Sequence, residues 1–127
     1  MKTEMINRPR ASGKSVLLRL KFHELIAEKC YDVVIVKGHC KGESLRLKRY
    51  CQKYHENVQL SIEKESLVCM QEILVLIDEP FILDKNEQNH LITQLNELEK
   101  NIPCDIHIIG IGTLVEEKND VTFKDFI

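Results

Sequence analysis

The sequence predicts an α/β protein, a three-layer sandwich with a mainly parallel five-stranded sheet and helices on both faces. Three observations carry this. Short β-branched apolar runs stand at Tyr31–Val36, Ile73–Ile77 and Ile106–Ile111, the pattern of strands buried on both faces of a parallel sheet. Stretches with the helical period separate them. The residues able to carry chemistry, Gly13-Lys14-Ser15, Asp78-Glu79 and Gly112-Thr113, fall where strands end, the edge at which open α/β sheets hold ligands.

Each element has its own reason. Lys2–Ile6 has only Met5 and Ile6 as adjacent apolar residues, so its assignment as the first strand rests on the loop that follows. From Ser15 to Cys30 the apolar residues Val16, Leu17, Leu20, Leu25 and Ile26, with Phe22 nearby, recur at helical spacing. Tyr31–Val36 is then a strand before Gly38. Gly42–His55 sets Leu45, Leu47, Tyr50 and Tyr54 among Lys41, Arg46, Lys48, Arg49 and Lys53, which predicts an exposed helix with a basic face. Asn57–Ile62 reads as a short strand and Glu63–Met70 as a short helix. Ile73–Ile77 is the most apolar stretch and closes on Asp78-Glu79-Pro80. Carboxylates are costly to bury beside such a run unless they sit at the open end of the strand facing a cation. Asp84 or Asn86 caps a helix whose stripe is Leu91, Ile92, Leu95 and Leu98, and Asn101 with Pro103 ends it. Ile106–Ile111 is the last strand, and the tail 114–127 reads as a docking or partner-binding segment.

The chain of 127 residues fits one domain, 1–127, with a real hydrophobic core. Its 43% apolar and 30% charged residues are ordinary for a folded soluble protein. A net charge of −2 gives no general attraction to nucleic acid or membrane. The longest apolar run is too short to span a bilayer. Five scattered cysteines, with no leader-like segment, predict reduced thiols in a cytoplasmic setting.

The opening loop, Asn7-Arg8-Pro9-Arg10-Ala11-Ser12-Gly13-Lys14-Ser15, reads as a phosphate-binding turn between strand and helix. The strict pattern asks for Gly, four free positions, then Gly-Lys-[Ser/Thr]. Arg8 occupies the first Gly position, while Gly13, Lys14 and Ser15 satisfy the second half. That half does the chemistry: backbone N–H groups cradle phosphate, the lysine reaches the outer phosphates, and the serine hydroxyl ligates Mg2+. Pro9 donates no N–H, so the cradle has one donor fewer.

Together these motifs resemble the P-loop NTPases, in the branch with an additional catalytic glutamate after the Walker B aspartate. The resemblance spans Asn7 to Thr113. It implies ATP or another NTP with Mg2+ as cofactors, a nucleotide-binding stretch of Arg10, Ala11, Ser12, Gly13, Lys14, Ser15 and Val16, and a sheet ordered 5-1-4-3-2. Lys14 resembles the Walker A lysine and Glu79 the base that polarises the attacking water, the two catalytic residues implied. Ser15 and Asp78 are the implied metal residues and Thr113 the sensor or coupling residue. Arg8 or Arg10 is implied at the phosphates or as a finger in a neighbour's site. The Arg-containing loop without its leading Gly resembles the deviant Walker A of phage DNA-packaging ATPases, and Gly112-Thr113 their coupling motif. This admits DNA as a partner and a homo-oligomer or larger machine as the working form. Leu76-Ile77-Asp78-Glu79-Pro80 also resembles the Walker B of ABC-type ATPases, but no Leu-Ser-Gly-Gly-Gln signature precedes it.

Two alternatives stand beside the ATPase. A nucleoside or nucleotide kinase of thymidine kinase type shares the loop and the Asp-Glu ending but calls for a lid or paired-cysteine segment absent from this sequence. A degenerate, non-hydrolysing interaction module would follow if Arg8 and Pro9 weakened nucleotide binding. Cys40, Cys51, His39 and His55 lack zinc-knuckle spacing and are read as structural.

Overall fold

The computed structural model describes residues 2–9, 13–61, 71–82, 85–101 and 103–113. Within them the chain runs β1 (Lys2–Asn7), α1 (Lys14–Glu28), β2 (Val33–Lys37), α2 (Lys41–Gln52), β3 (Val58–Gln59), β4 (Glu72–Asp78), a 3-10 turn (Pro80–Ile82), α3 (Lys85–Asn101) and β5 (Asp105–Gly112). The expected helix over Glu63–Met70 and the tail 114–127 lie outside the described residues.

The strands form one all-parallel sheet in the order β1-β5-β4-β2-β3. The α/β class is as expected; the order 5-1-4-3-2 is corrected. β5 lies between β1 and β4, and β1 takes the edge. Burial explains the exchange. β5 is buried at Ile106 and from Ile108 to Gly112, whereas β1 is nowhere fully buried and carries Thr3 and Glu4. The more apolar strand takes the position with a partner on each side. With the two-residue β3 left out of the count, the four longer strands read 1-4-3-2, the implied order without its outermost member.

Strict alternation splits the core in two. Val33, Ile35, Ile73, Val75, Ile77, Ile106 and Ile108 face α3, which covers them with Leu91, Ile92, Leu95 and Leu98, the stripe expected for that helix. Val34, Val36, Leu74, Leu76, Ile109 and Ile111 face α1 and α2 through Leu18, Phe22, Leu47 and Cys51. Each fully buried leucine here stabilises the fold by about 2 kcal/mol. Connections running outward from β1 to β2 to β3 cross on the α1–α2 face, and the return from β4 to β5 crosses on the α3 face. Reversing direction changes face, as right-handed crossovers require.

The α1 stripe differs from expectation. Leu18 and Phe22 are its buried residues, while Val16 and Leu20 are both 59% exposed. At about 100° per residue, positions 18, 22 and 25 share one side and 16 and 20 point the opposite way. At the amino edge, Asp32 Oδ2 accepts the N–H groups of Gln71 and Glu72 at 2.8 and 2.9 Å. These bonds tie the entry to β2 to the start of β4 and hold the carboxyl below its usual range.

Candidate functional site

Because all strands are parallel, their carboxyl ends share one edge, and β1, β5 and β4 are neighbours there. Backbone bonds continue past the ladders. Arg8 N–H donates to Gly112 O at 2.8 Å and Glu79 N–H to Ile111 O at 3.0 Å. The residues after β1 and β4 are thus stitched to the end of β5.

Three side chains converge at this seam. Lys14 Nζ lies 2.7 Å from Glu79 Oε1 and donates to Thr113 Oγ1 at 2.6 Å. Thr113 Oγ1 in turn donates to Arg8 O at 2.8 Å, and Thr113 N–H reaches Glu79 Oε2 at 3.3 Å. The Lys14 and Glu79 side chains are only 16% and 15% exposed, so the pair is shielded from solvent more than a surface ion pair. Three sequence motifs separated by up to 99 residues therefore meet in one triangle.

Local backbone explains why. Gly13 adopts φ 73° just before α1, a left-handed turn that glycine takes without penalty, and it starts the helix with Lys14 in its first turn. Glu79 is the only non-glycine residue with positive φ among those described, at 57°. This turn aims its N–H at β5 and its carboxylate at Lys14. A Cβ on Gly112 would sit 3.0 Å from Pro80 Cδ and 3.1 Å from Glu79 Oε2, so glycine there lets the carboxylate lie against the strand.

Ser15 and Asp78 stand beside the triangle and line one small hollow with Arg19, Glu43 and Arg46. Its free space, about 20 Å3, suits one water or one small ion. Burial raises the Asp78 carboxyl above its ordinary value; the charges of Glu79 and Glu43 add to this, and His39 and Lys14 oppose it. A hydroxyl and one carboxylate are the hard oxygen donors that Mg2+ takes from protein when phosphates and water complete its shell. No cluster of three or more His, Cys, Asp or Glu converges as a metal cage among the described residues. The donor set fits Mg2+ in its phosphate-bound form.

The remaining expected site residues divide. Arg10, Ala11 and Ser12 lie outside the described residues. Val16 is exposed on the outer side of α1. Arg8 is exposed and enters the site through its backbone N–H and C=O. Sequence reasoning missed Glu43, Arg46 and Arg19 beside Asp78. Glu43 and Arg46 form an i,i+3 pair at 3.0 Å on α2, a spacing visible in the sequence, but their approach to Asp78 depends on packing of α2 beside α1. Cys51 is fully buried in the core, and burial pushes its thiol up to about 12. His55 accepts Asn57 N–H at Nδ1 and donates from Nε2 to Tyr31 O. Both residues therefore have structural roles.

Compared with protein-family models, curated proteins and solved structures, the chain matches none.

Proposed function

We propose that this chain binds Mg2+-ATP at the ends of β1, β4 and β5 and hydrolyses it. The observation that carries the reading is the Lys14–Glu79–Thr113 triangle, with its 2.6 and 2.7 Å contacts at Lys14 Nζ. The sheet supports it further, since β5, which leads to Thr113, lies between β1, which leads to Lys14, and β4, which ends on Asp78.

On this reading the triangle is the resting arrangement of charges. An incoming phosphate competes with Glu79 for Lys14, and the N–H groups at the start of α1 hold the same oxygens. Glu79, released from its cation, accepts a proton from the water whose oxygen bonds to the outer phosphorus as the bond from that phosphorus to the bridging oxygen breaks and its electron pair leaves on ADP, while Thr113 couples the outer phosphate to the backbone of Arg8. Ser15 and Asp78 would hold Mg2+, which would neutralise charge developing on the phosphates. Work on DNA as an oligomer or within a larger machine, in a cytoplasmic setting, belongs to the same proposal through the resemblance to packaging ATPases. A second reading, an interaction module without turnover, is favoured by Pro9, which offers no donor, and by the closed triangle, which a nucleotide must open.

Thermal denaturation with and without Mg2+-ATP, followed by phosphate release, tests both. A site occupied at 100 times Kd adds about 2.7 kcal/mol of stability. The expected outcome is stabilisation lost in Lys14→Ala and release reduced at least a hundredfold in Glu79→Gln. Stabilisation without release in the wild type selects the module. No shift at millimolar nucleotide ends the nucleotide reading.

A further inference from the structure

Helix α2 and the turn after it carry a local charge that the whole chain lacks. Residues 41–56 hold five lysines and arginines against two glutamates, Glu43 and Glu56, in a chain of net charge −2. Arg46, Arg49 and Lys53 recur at i, i+3 and i+7 and are all exposed, so helical spacing sets them in one row along about 10 Å of surface. Glu43 is already engaged with Arg46 at 3.0 Å, and the guanidinium keeps further donors beyond that contact.

Beside this row lies a band of rings where α2 packs on α1. The Tyr50 and Tyr54 rings are 5.4 Å apart between centroids, and His23 of α1 meets Tyr54 edge to face at 4.4 Å. His23 Nε2 and Tyr50 Oη share a hydrogen bond of 2.6 Å, and the Arg19 guanidinium lies 4.5 Å from the centre of the Tyr50 ring. Phe22, fully buried, contacts both tyrosine rings. These contacts hold the rings in place, yet Tyr54 stays 53% exposed. An immobilised aromatic is therefore presented at the surface next to a row of cations.

We infer that this seam is a track for a single strand of DNA. Arg46, Arg49 and Lys53 take the phosphates and a base stacks on Tyr54, the pairing of cations with a fixed ring that single-strand-binding surfaces use. The ring selects a single strand, because bases in a duplex are already stacked on one another and offer only their edges in the grooves. The charge of the row selects a polyanion over an apolar partner. The track reaches the candidate nucleotide site, since Arg19 and Arg46 also line the hollow at Ser15 and Asp78. The choice of DNA rests on the proposed function; the seam itself holds a strand with or without nucleotide hydrolysis.

Fluorescence anisotropy of a labelled oligothymidine with the full chain tests it, at several salt concentrations and beside a duplex and an oligouridine of equal length. Saturable binding is expected, tighter for the DNA single strand than for the duplex and no tighter for RNA. Tyr54→Ala should bind at least fivefold more weakly, the lower end for one stacked base, while Tyr54→Phe binds as wild type does. Should Tyr54→Ala lose its fold, Tyr54→Leu, which keeps apolar bulk without a ring, gives the same comparison. Arg49→Gln/Lys53→Gln, changes at exposed positions outside the hollow, should flatten the slope of log affinity against log salt by about 1.4, the loss of two phosphate contacts on a single strand. Lys14→Ala should bind the strand unchanged, which separates failure of this inference from failure of the nucleotide reading. The inference is overturned if no strand binds at low salt, if duplex or RNA binds more tightly, if the variant without a ring at position 54 binds as wild type does, or if the salt slope of the double variant is unchanged. Wild-type chain that binds no strand but sediments as an oligomer, which the double variant does not form, would assign the face to a second copy instead.

Discussion

Glu79 carries a conformation that its side chain does not favour. At φ 57° a non-glycine residue costs roughly 1–2 kcal/mol relative to an ordinary backbone. Glycine would relax that turn but could not meet Lys14 at 2.7 Å. The strain at this position is compatible with the role that the proposed function gives the Glu79 carboxylate. Glu79→Gly should therefore be more stable than Glu79→Ala by about 1 kcal/mol in urea denaturation; under the proposed function both variants should also lack phosphate release. Equal stability of the two variants would mean that the turn relaxes around alanine and stores no strain. The left-handed backbone of Glu79 is not visible in the sequence, where Asp78-Glu79-Pro80 reads as the carboxylate-bearing end of an apolar strand and Glu79, by resemblance, as a base.

At the scale of elements, β5 combines a core role with a titratable one. His107, at its amino end, is 12% exposed. Tyr31 Oη lies 3.3 Å from its Nδ1, and Glu4 Oε1 of β1 is 3.6 Å from its Nε2. Burial lowers its pKa from the ordinary 6.5, the charges of Lys2 and Lys29 act in the same direction, and Glu4 opposes them. The folded state thus binds fewer protons than the unfolded state just below pH 6.5. Stability from this residue is then lost as pH falls from about 6.5 toward the lower folded pKa. Urea midpoints at pH 7.5 and pH 5.5 should fall further for the wild type than for His107→Gln, a variant that cannot titrate. An equal fall in both would assign the acid sensitivity to other groups. The apolar run from Ile106 to Ile111 marks a strand well enough, but the partners of His107, Tyr31 and Glu4, come from distant parts of the chain, and only tertiary packing brings them to the imidazole.

At the scale of the whole molecule, the sheet is ordered from a buried centre to weak edges. β4 has a partner on each side and is fully buried from Ile73 to Ile77. β1 pairs only with β5, about a hundred residues later, and β3 contributes two residues. Closing a loop of that length brings its entropy cost before the contacts it allows. Native-state hydrogen exchange should show Ile73–Ile77 amides opening only with global unfolding and Thr3–Ile6 amides exchanging at lower free energy. Identical exchange energies for β1 and β4 would show instead that the sheet opens as one unit. Edge opening of β1 would also loosen Arg8, whose backbone oxygen accepts from Thr113, so the site is coupled to an edge strand of the sheet.

Local pattern determined much of this protein. The apolar runs at Val33, Ile73 and Ile106 made parallel strands, the stripe from Leu91 to Leu98 made α3, and glycine and carboxylate positions marked the strand ends where Lys14, Asp78, Glu79 and Thr113 stand. These were legible because burial on both faces and helical spacing leave periodic traces along the chain. Tertiary structure alone decided which strand took the edge, which side of α1 faced inward, and how Lys14, Glu79 and Thr113 came within hydrogen-bond reach. The physical reason is that sheet order, helix rotation and the meeting of side chains are set by competition among all apolar surfaces for one interior. That competition is settled between segments distant in the chain, beyond the reach of any local pattern.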